Sequence, residues 1–212
     1  MKNTLLNSKK KEQGFTLAEL LIVVAIIGVL VAISIPIFNA QMEKARRAVD
    51  LHTARSIESV LVAACNSGEI QFPNKSDDNH TVFVMICRDP SSAPLDYEKK
   101  CFNLNKDKSQ TCWCGADKGI TINGQQSTDW DKYNSQMVSL LTDAGLDPQS
   151  LCTRSNGKGD GWDWISIQIG LSKNDKAINA RIFSGKAGAH GSSKDNSNKY
   201  PTNIEKQIYG IK

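Results

Sequence analysis

The sequence lacks the residue patterns that mark most enzymes. Its 212 residues include three histidines, which lie far apart in the chain, at His52, His80 and His190. There is no H-E-x-x-H pattern of a zinc protease, no G-x-S-x-G nucleophile turn, no phosphate-binding Gly-Lys loop and no dinucleotide-binding glycine pattern. Because the common signatures of hydrolases and nucleotide-dependent enzymes are missing, we expect a protein that is not an enzyme.

Neither sign of charge is in large excess. The chain has 26 Lys and Arg against 22 Asp and Glu, a formal net charge of +4, and 7% of its residues are aromatic. No stretch interleaves many basic and aromatic residues, as a nucleic-acid-binding surface does. The sequence therefore gives no clear nucleic-acid signal.

The chain does have one long hydrophobic run, from Gly14 to Phe38, with the sequence GFTLAELLIVVAIIGVLVAISIPIF. As a helix this run is long enough to cross the roughly 30 Å hydrocarbon core of a bilayer. Glu19 is its single carboxylate, and a charge at the bilayer centre costs about 2.5 to 3.5 kcal/mol. The residues alone leave two interpretations open: Glu19 has a functional partner, or its side chain reaches back to water.

A basic leader precedes the hydrophobic run and ends before it. Four lysines, Lys2, Lys9, Lys10 and Lys11, come ahead of Gly14, whereas an ordinary secretory signal places its cleavage site after the apolar segment. Cleavage after Gly14 would remove the lysines and leave the apolar run on the mature protein. The residues from Gly14 to Glu19, GFTLAE, resemble the G-F-T-L-x-E processing motif of type IV pilins and pseudopilins. The resemblance continues through Pro36 and the charged helix beyond it.

The resemblance implies how each part of this segment is used. Residues 1–14 are a leader removed by a prepilin peptidase, and the same enzyme's methyltransferase activity N-methylates the new terminal residue, Phe15. Residues 15–38 first cross the membrane and later pack with other pilin subunits in the filament core, assembled by membrane machinery. Glu19 pairs with the Phe15 amine of a neighbouring subunit. The protein is then a single-pass membrane protein before assembly and part of an extracellular filament afterwards.

Beyond the hydrophobic run, the composition becomes amphipathic. Apolar residues at three- and four-residue spacing among charges predict one helix from Phe15 to Ala64, whose back half packs against a globular head. Pro36 and Gly28 are the places where this helix can bend, Pro36 because proline removes a backbone hydrogen bond within a helix. Pro36 is also predicted, with Glu19, to matter for assembly. Asn66 to Gly68 end the helix.

Two helix-then-strand units follow one another along the chain, which predicts an α+β fold. The clearest strand patterns are Thr81–Arg88, Trp162–Leu171 and Ala177–Phe183. We therefore predict two lobes, as in two-lobed pilins: residues 39–124 hold the back half of the spine and the first lobe, and residues 125–212 hold the second. A single large sheet is the alternative. Trp162 and Trp164 are expected on one face of their strand, for packing or as an aromatic platform for a sugar.

The six cysteines leave two chemistries open. Cys112 and Cys114 are too close in a strand for a mutual disulfide but are well spaced for two thiolates on one zinc ion. Cys87 and Cys101, predicted in the same lobe, are the expected further ligands. Three ordinary disulfides are the other interpretation, with Cys65 and Cys152 as candidates for a bond between spine and second lobe.

The function that these features favour is that of a type IV pilus subunit. The enlarged head predicts a minor or specialised pilin that displays the head for adhesion or a related surface function, with a host or surface receptor as a further partner. One alternative is a type II secretion pseudopilin. Another is a membrane-anchored extracellular binding protein, which would not need Gly14, Glu19 and a cleavable leader together.

Overall fold

The computed structural model describes residues 14–73, 80–92, 102–104, 111–127, 134–156, 161–172, 177–186 and 204. The chain divides into two compact units, Met1–Met42 and Glu43–Lys212. Residues 1–13 of the predicted leader, Cys101 and most of the segment after Lys186 lie outside the described residues.

A single helix, α1 (Leu17–Ser67), confirms the predicted spine. It begins after Thr16 and ends before Gly68, whose φ of 83° is a left-handed conformation that glycine adopts without strain. Pro36 lies inside the helix, which continues through it. Every described residue of the first unit is exposed within this chain, and the buried residues of α1 all belong to the second unit: Asp50, Ala54, Ile57, Leu61 and Ala64.

The second unit is built on a five-stranded antiparallel sheet. Its strands are β2 (His80–Cys87), β3 (Phe102–Asn103), β4 (Cys112–Ala116), β7 (Trp164–Leu171) and β8 (Ile178–Gly185), in the order β3-β4-β2-β7-β8. A small three-stranded sheet contains β1 (Ile70–Gln71), β5 (Thr121–Ile122) and β6 (Gln125–Gln126). A 3₁₀ turn (Pro90–Ser92) and a second helix, α2 (Asn134–Asp143), complete the described elements.

Strand pairing crosses the predicted boundary between the two lobes. Strand β2 belongs to the predicted first lobe and β7 to the second, yet they pair over their whole length, from His80 opposite Leu171 to Cys87 opposite Trp164. The five-stranded sheet therefore contains strands from both predicted lobes. The predicted β7–β8 hairpin is confirmed, with Leu171 opposite Ile178.

The large sheet buries side chains on both faces. On one face, Val82, Val84 and Ile86 of β2 join the main core, to which α1 contributes Ile57 and Leu61. The other face carries a second cluster, formed by Phe83, Met85, Cys87, Trp113, Trp164 and Phe183. Because alternate residues of a strand point to opposite faces, both faces of β2 must be apolar.

Trp162 and Trp164 do not share a face, contrary to expectation. Trp162 lies in the main core and Trp164 in the second cluster. Strand β7 begins only at Trp164, so the two-residue alternation of a strand does not extend back to Trp162. Both indole rings are at most 2% exposed, which makes them packing residues and not a sugar platform.

Candidate functional site

The start of α1 is closed by a reciprocal cap between Thr16 and Glu19. The Glu19 amide donates to Thr16 Oγ1 at 3.2 Å, while Glu19 Oε2 accepts hydrogen bonds from the Thr16 amide at 2.8 Å and the Thr16 hydroxyl at 2.9 Å. This is a capping box, in which two otherwise unpaired helix donors are satisfied. The T-x-x-E spacing that signals it is visible in the sequence, but our sequence analysis missed it.

The cap gives the carboxylate of Glu19 a partner within its own chain. Its bonding groups are neutral, an amide and a hydroxyl, and no described residue forms a salt bridge with it. A charged amine would be a stronger donor, because hydrogen bonds between ionised groups are roughly twice as strong as neutral ones. Glu19 is therefore held in place by its own chain and can exchange this contact for a cationic partner.

Gly14 and Phe15 lie immediately ahead of the helix. Residues 14–16 have no helical structure, and Phe15 is 90% exposed. A Cβ added at Gly14 would meet no atom within 4 Å, so the surrounding chain does not require glycine there. The predicted cleavage junction is thus an accessible, non-helical peptide bond.

The apolar front of α1 has no cover within this chain. Its large side chains between Leu17 and Phe38 are all about half exposed or more, and Pro36 lies in the same exposed stretch. By length and composition alone, α1 is the one helix in the described part of the chain that could cross a membrane. A surface this apolar requires lipid or other protein around it.

A second polar site joins α1 to the segment before β7. Asp50 is fully buried and accepts three hydrogen bonds, from the amides of Arg154 at 2.6 Å and Ser155 at 2.9 Å and from the Trp162 indole at 2.9 Å. Glu43, two turns earlier, accepts from the Ser155 hydroxyl at 2.7 Å. We call Asp50 and Glu43, with these donors, the acidic clasp.

Burial dominates the electrostatics of the acidic clasp. Loss of contact with water raises the pKa of Asp50 above its usual value, against the effect of the hydrogen bonds from Ser155, Arg154 and Trp162. In the sequence, Asp50 and Glu43 are two of the charges that are spaced among the apolar residues of the predicted amphipathic helix. Asp50 falls at helical spacing from Ala54, Ile57 and Leu61, and this position on the buried stripe is the signal that could have identified it.

The structure does not bring the predicted zinc ligands to one place. Cys112 and Cys114 lie in the main core, whereas Cys87 lies in the second cluster, on the opposite face of the sheet. Among the described residues, no group of three or more His, Cys, Asp or Glu side chains is placed to hold a metal ion. Because Cys101 lies outside the described residues, a zinc site stays a prediction, but Cys87 and Cys112 do not point to a common centre.

Three of the five cysteines that the structure describes are buried: Cys87, Cys112 and Cys114. Desolvation raises the pKa of Cys65 to about 11 and that of Cys87 to about 12. Cys65 and Cys152 form no disulfide with each other. The predicted bond between spine and second lobe is therefore absent.

Comparisons with known proteins point to one family. The family model described as the prokaryotic N-terminal methylation motif matches residues 9–35, which include Gly14, Phe15 and Glu19. The chain is similar to the type IV major fimbrial protein FimA of Dichelobacter nodosus, with 31% identity over 163 residues, covering 73% of this chain and 90% of that protein.

A shorter similarity is confined to a small part of the chain. The fimbrial protein EcpB of Eikenella corrodens is 56% identical over 36 residues, or 17% of this chain and 23% of that protein. No solved structure matches the chain.

Proposed function

The chain belongs to the type IV pilin family and is a pilin subunit, and we propose that it is a minor or specialised subunit that displays its head on a surface filament. The observation that carries the assembly of this subunit into a filament is the combination of a methylation-motif match at residues 9–35 with an exposed apolar front of α1 that holds one carboxylate, Glu19. The helix supplies a surface that needs other helices, and the carboxylate supplies a specific contact within it.

We propose that a prepilin peptidase cleaves the chain after Gly14 and that Phe15 is then N-methylated. The exposed, non-helical junction supports this step, because a peptidase needs a segment that it can bind outside a helix. Cleavage creates a positive amine one residue before Thr16. The mature chain then carries a cation and the Glu19 carboxylate at the same end of an apolar helix.

In the filament, the Glu19 carboxylate pairs with the Phe15 amine of a neighbouring subunit. Opposite charges removed from water attract strongly, and either charge left alone in an apolar core is costly. This pair therefore favours one register between neighbouring helices over others. The Thr16 cap supports the proposal because it keeps the carboxylate bonded until the amine of a neighbour replaces these contacts.

The specialised role rests on the size and construction of the head. The similarity to the D. nodosus protein covers 90% of that protein but 73% of this chain, so this chain has residues outside the matched region. Both faces of the head's large sheet bury a hydrophobic cluster. Such a head is suited to presenting an outer surface to a host or surface receptor while α1 holds the subunit in the filament.

Immunogold electron microscopy with an antibody against the head tests the proposal. We expect gold particles on surface filaments, and fewer particles per filament than with an antibody against the most abundant subunit. A deletion strain that carries the gene for Glu19→Ala in trans should lose the filament label and keep the protein in the membrane fraction. Label confined to the cell envelope in the unaltered strain would overturn the proposal.

A further inference from the structure

The stretch of α1 just after the apolar run is cationic. Lys44 and Arg46 are exposed and Arg47 is half-buried, and we call these three residues the basic collar. The two carboxylates of the same stretch, between residues 39 and 56, are not exposed: Asp50 is fully buried and the Glu43 side chain is 12% exposed. The surface of this stretch therefore carries cations without exposed anions.

The acidic clasp is the reason for this imbalance. Asp50 and Glu43 direct their oxygens to the amides, hydroxyl and indole of the segment before β7. Arg46 Nη1 lies 3.6 Å from Glu43 Oε2, and this is the one ion pair between the basic collar and another described residue. Most of the positive charge of the basic collar is thus available to a partner.

An exposed apolar side chain lies beside one of these cations. Met42 and Val49 are 40% and 45% exposed, and they are two of the three exposed large hydrophobic residues that follow Phe38 in the described part of the chain. Val49 follows Arg46 by three residues, so these two side chains are neighbours on the helix, whereas Lys44, two residues before Arg46, lies on the opposite side. A helix face with both cations and apolar groups is typical of segments that lie in the headgroup region of a membrane.

The position in the chain fits this region. Lys44 follows Phe38, the last residue of the apolar run, by six residues. Even a fully extended chain of six residues spans no more than about 20 Å, so the basic collar stays near any membrane that holds the run.

We propose that the basic collar binds the phosphate headgroups of anionic phospholipids while the unassembled subunit is stored in the membrane. The proposal rests on the expectation that residues 15–38 hold the unassembled subunit in the membrane. It adds the class of lipid that this subunit contacts. Binding of this kind retains the subunit at a fixed depth, and it is lost when neighbouring subunits replace the lipid. An acidic surface of a second copy is the competing occupant.

Spin-labelled lipids test the proposal on the full chain in vesicles of phosphatidylcholine with phosphatidylglycerol. Electron spin resonance should show that labelled phosphatidylglycerol contacts the protein in preference to labelled phosphatidylcholine. The preference should fall by about fivefold or more, at least the effect of one well-placed cation, in the triple variant Lys44→Gln, Arg46→Gln, Arg47→Gln. High salt should also lower the preference of the unaltered protein for phosphatidylglycerol, because salt screens the charges.

A matched control removes three exposed cations outside the basic collar and the acidic clasp, with Arg55→Gln, Lys118→Gln and Arg181→Gln. We expect this variant to keep the preference, although its net charge equals that of the first variant. An unchanged preference in the first variant, or an equal loss in the control, would overturn the proposal. Flotation with vesicles of pure phosphatidylcholine tests separately whether the chain is held in a membrane at all. If the chain does not float, the membrane-held state of the unassembled subunit is contradicted. If it floats but shows no lipid preference, only the role of the basic collar is contradicted.

Discussion

The indole nitrogen of Trp162 donates a 2.9 Å hydrogen bond to Oδ2 of Asp50, 112 residues earlier in the chain. Trp162 is 1% exposed and Asp50 is fully buried, so the bond forms away from water. It joins α1 to the segment that leads into β7, and β7 is the strand of the large sheet that pairs with the edge strand β8. The stability of the head should therefore depend on this single carboxylate.

We expect Asp50→Ala to lower the free energy of unfolding by at least about 2 kcal/mol, because the two buried N–H donors of Ser155 and Trp162 lose their acceptor at about 1 to 3 kcal/mol each. Trp162→Phe removes one of these bonds and should cost less. Denaturant unfolding of the detergent-solubilised protein, followed by circular dichroism, measures both. In the Asp50→Ala background, the effect of Trp162→Phe should shrink; equal effects in both backgrounds would contradict the bond's importance.

The pH dependence of stability provides a separate test of Asp50. Its pKa is raised above 3.8, chiefly because it is buried, so the native protein holds a proton at pH values where the unfolded chain has released it. The contribution of this group to stability therefore falls as the pH rises from 3.8 through the raised pKa, and is constant above it. The difference in unfolding free energy between the unaltered protein and Asp50→Asn should change across this window. As the pH falls, the unaltered protein should become more stable relative to the variant. A difference that is independent of pH would contradict the raised pKa.

Helix and strand positions could be predicted because each has a clear period. The spine, β2, β7 and β8 were found from three- and four-residue or two-residue spacing, within a few residues of their observed bounds. The pairing of β2 with β7 could not be read from local patterns, because it joins residues far apart in sequence. One feature of the sequence did indicate a central position for β2. In TVFVMIC, apolar residues occupy both the odd and the even positions, as in a strand that is covered on both faces of its sheet.

The candidate site was predicted unevenly, for the same reason. Gly14, Phe15 and Glu19 belong to a contiguous motif, so they could be proposed from the sequence alone, and the methylation-motif match covers all three. The acidic clasp joins positions more than a hundred residues apart, and the faces on which Cys87 and Cys112 lie depend on the register of β2 and β4. Contacts of this kind follow from the tertiary pairing of strands and not from the spacing of residues.

Trp164 covers Gly185, the residue opposite it on β8. A Cβ added at Gly185 would overlap the indole ring atom Cζ2 of Trp164. Gly185→Ala should therefore lower the free energy of unfolding by about 1 to 3 kcal/mol, the usual range for overpacking. The same substitution in a Trp164→Leu background should cost much less, since the smaller side chain leaves room. If Gly185→Ala is equally costly in both backgrounds, the indole is not the obstacle.

Substitutions at the start of α1 should separate the charge of Glu19 from its role in the cap. Glu19→Ala and Glu19→Gln both remove the charge, and we expect either to reduce incorporation into filaments by tenfold or more, the effect of about 1.4 kcal/mol, because a buried amine is left unpaired. Thr16→Ala weakens the start of the helix by about 1 kcal/mol but keeps the charge, so its effect should be smaller, and Thr16→Ser should behave as the unaltered protein. Quantitative immunoblots of sheared filaments and membranes measure the distribution. Normal incorporation of Glu19→Gln would contradict pairing with a neighbour's amine.

Mass spectrometry of the chain recovered from purified surface filaments shows whether the subunit is cleaved after Gly14 and assembled through α1. We expect an N-terminal peptide that begins at Phe15 and carries one additional methyl group on its amine. Residues 1–14 should be absent from filaments and present on the precursor in the membrane. A chain in filaments that keeps its leader, or one cleaved after the apolar run so that α1 begins beyond Phe38, would contradict the assignment of this protein as a pilus subunit assembled through its N-terminal helix.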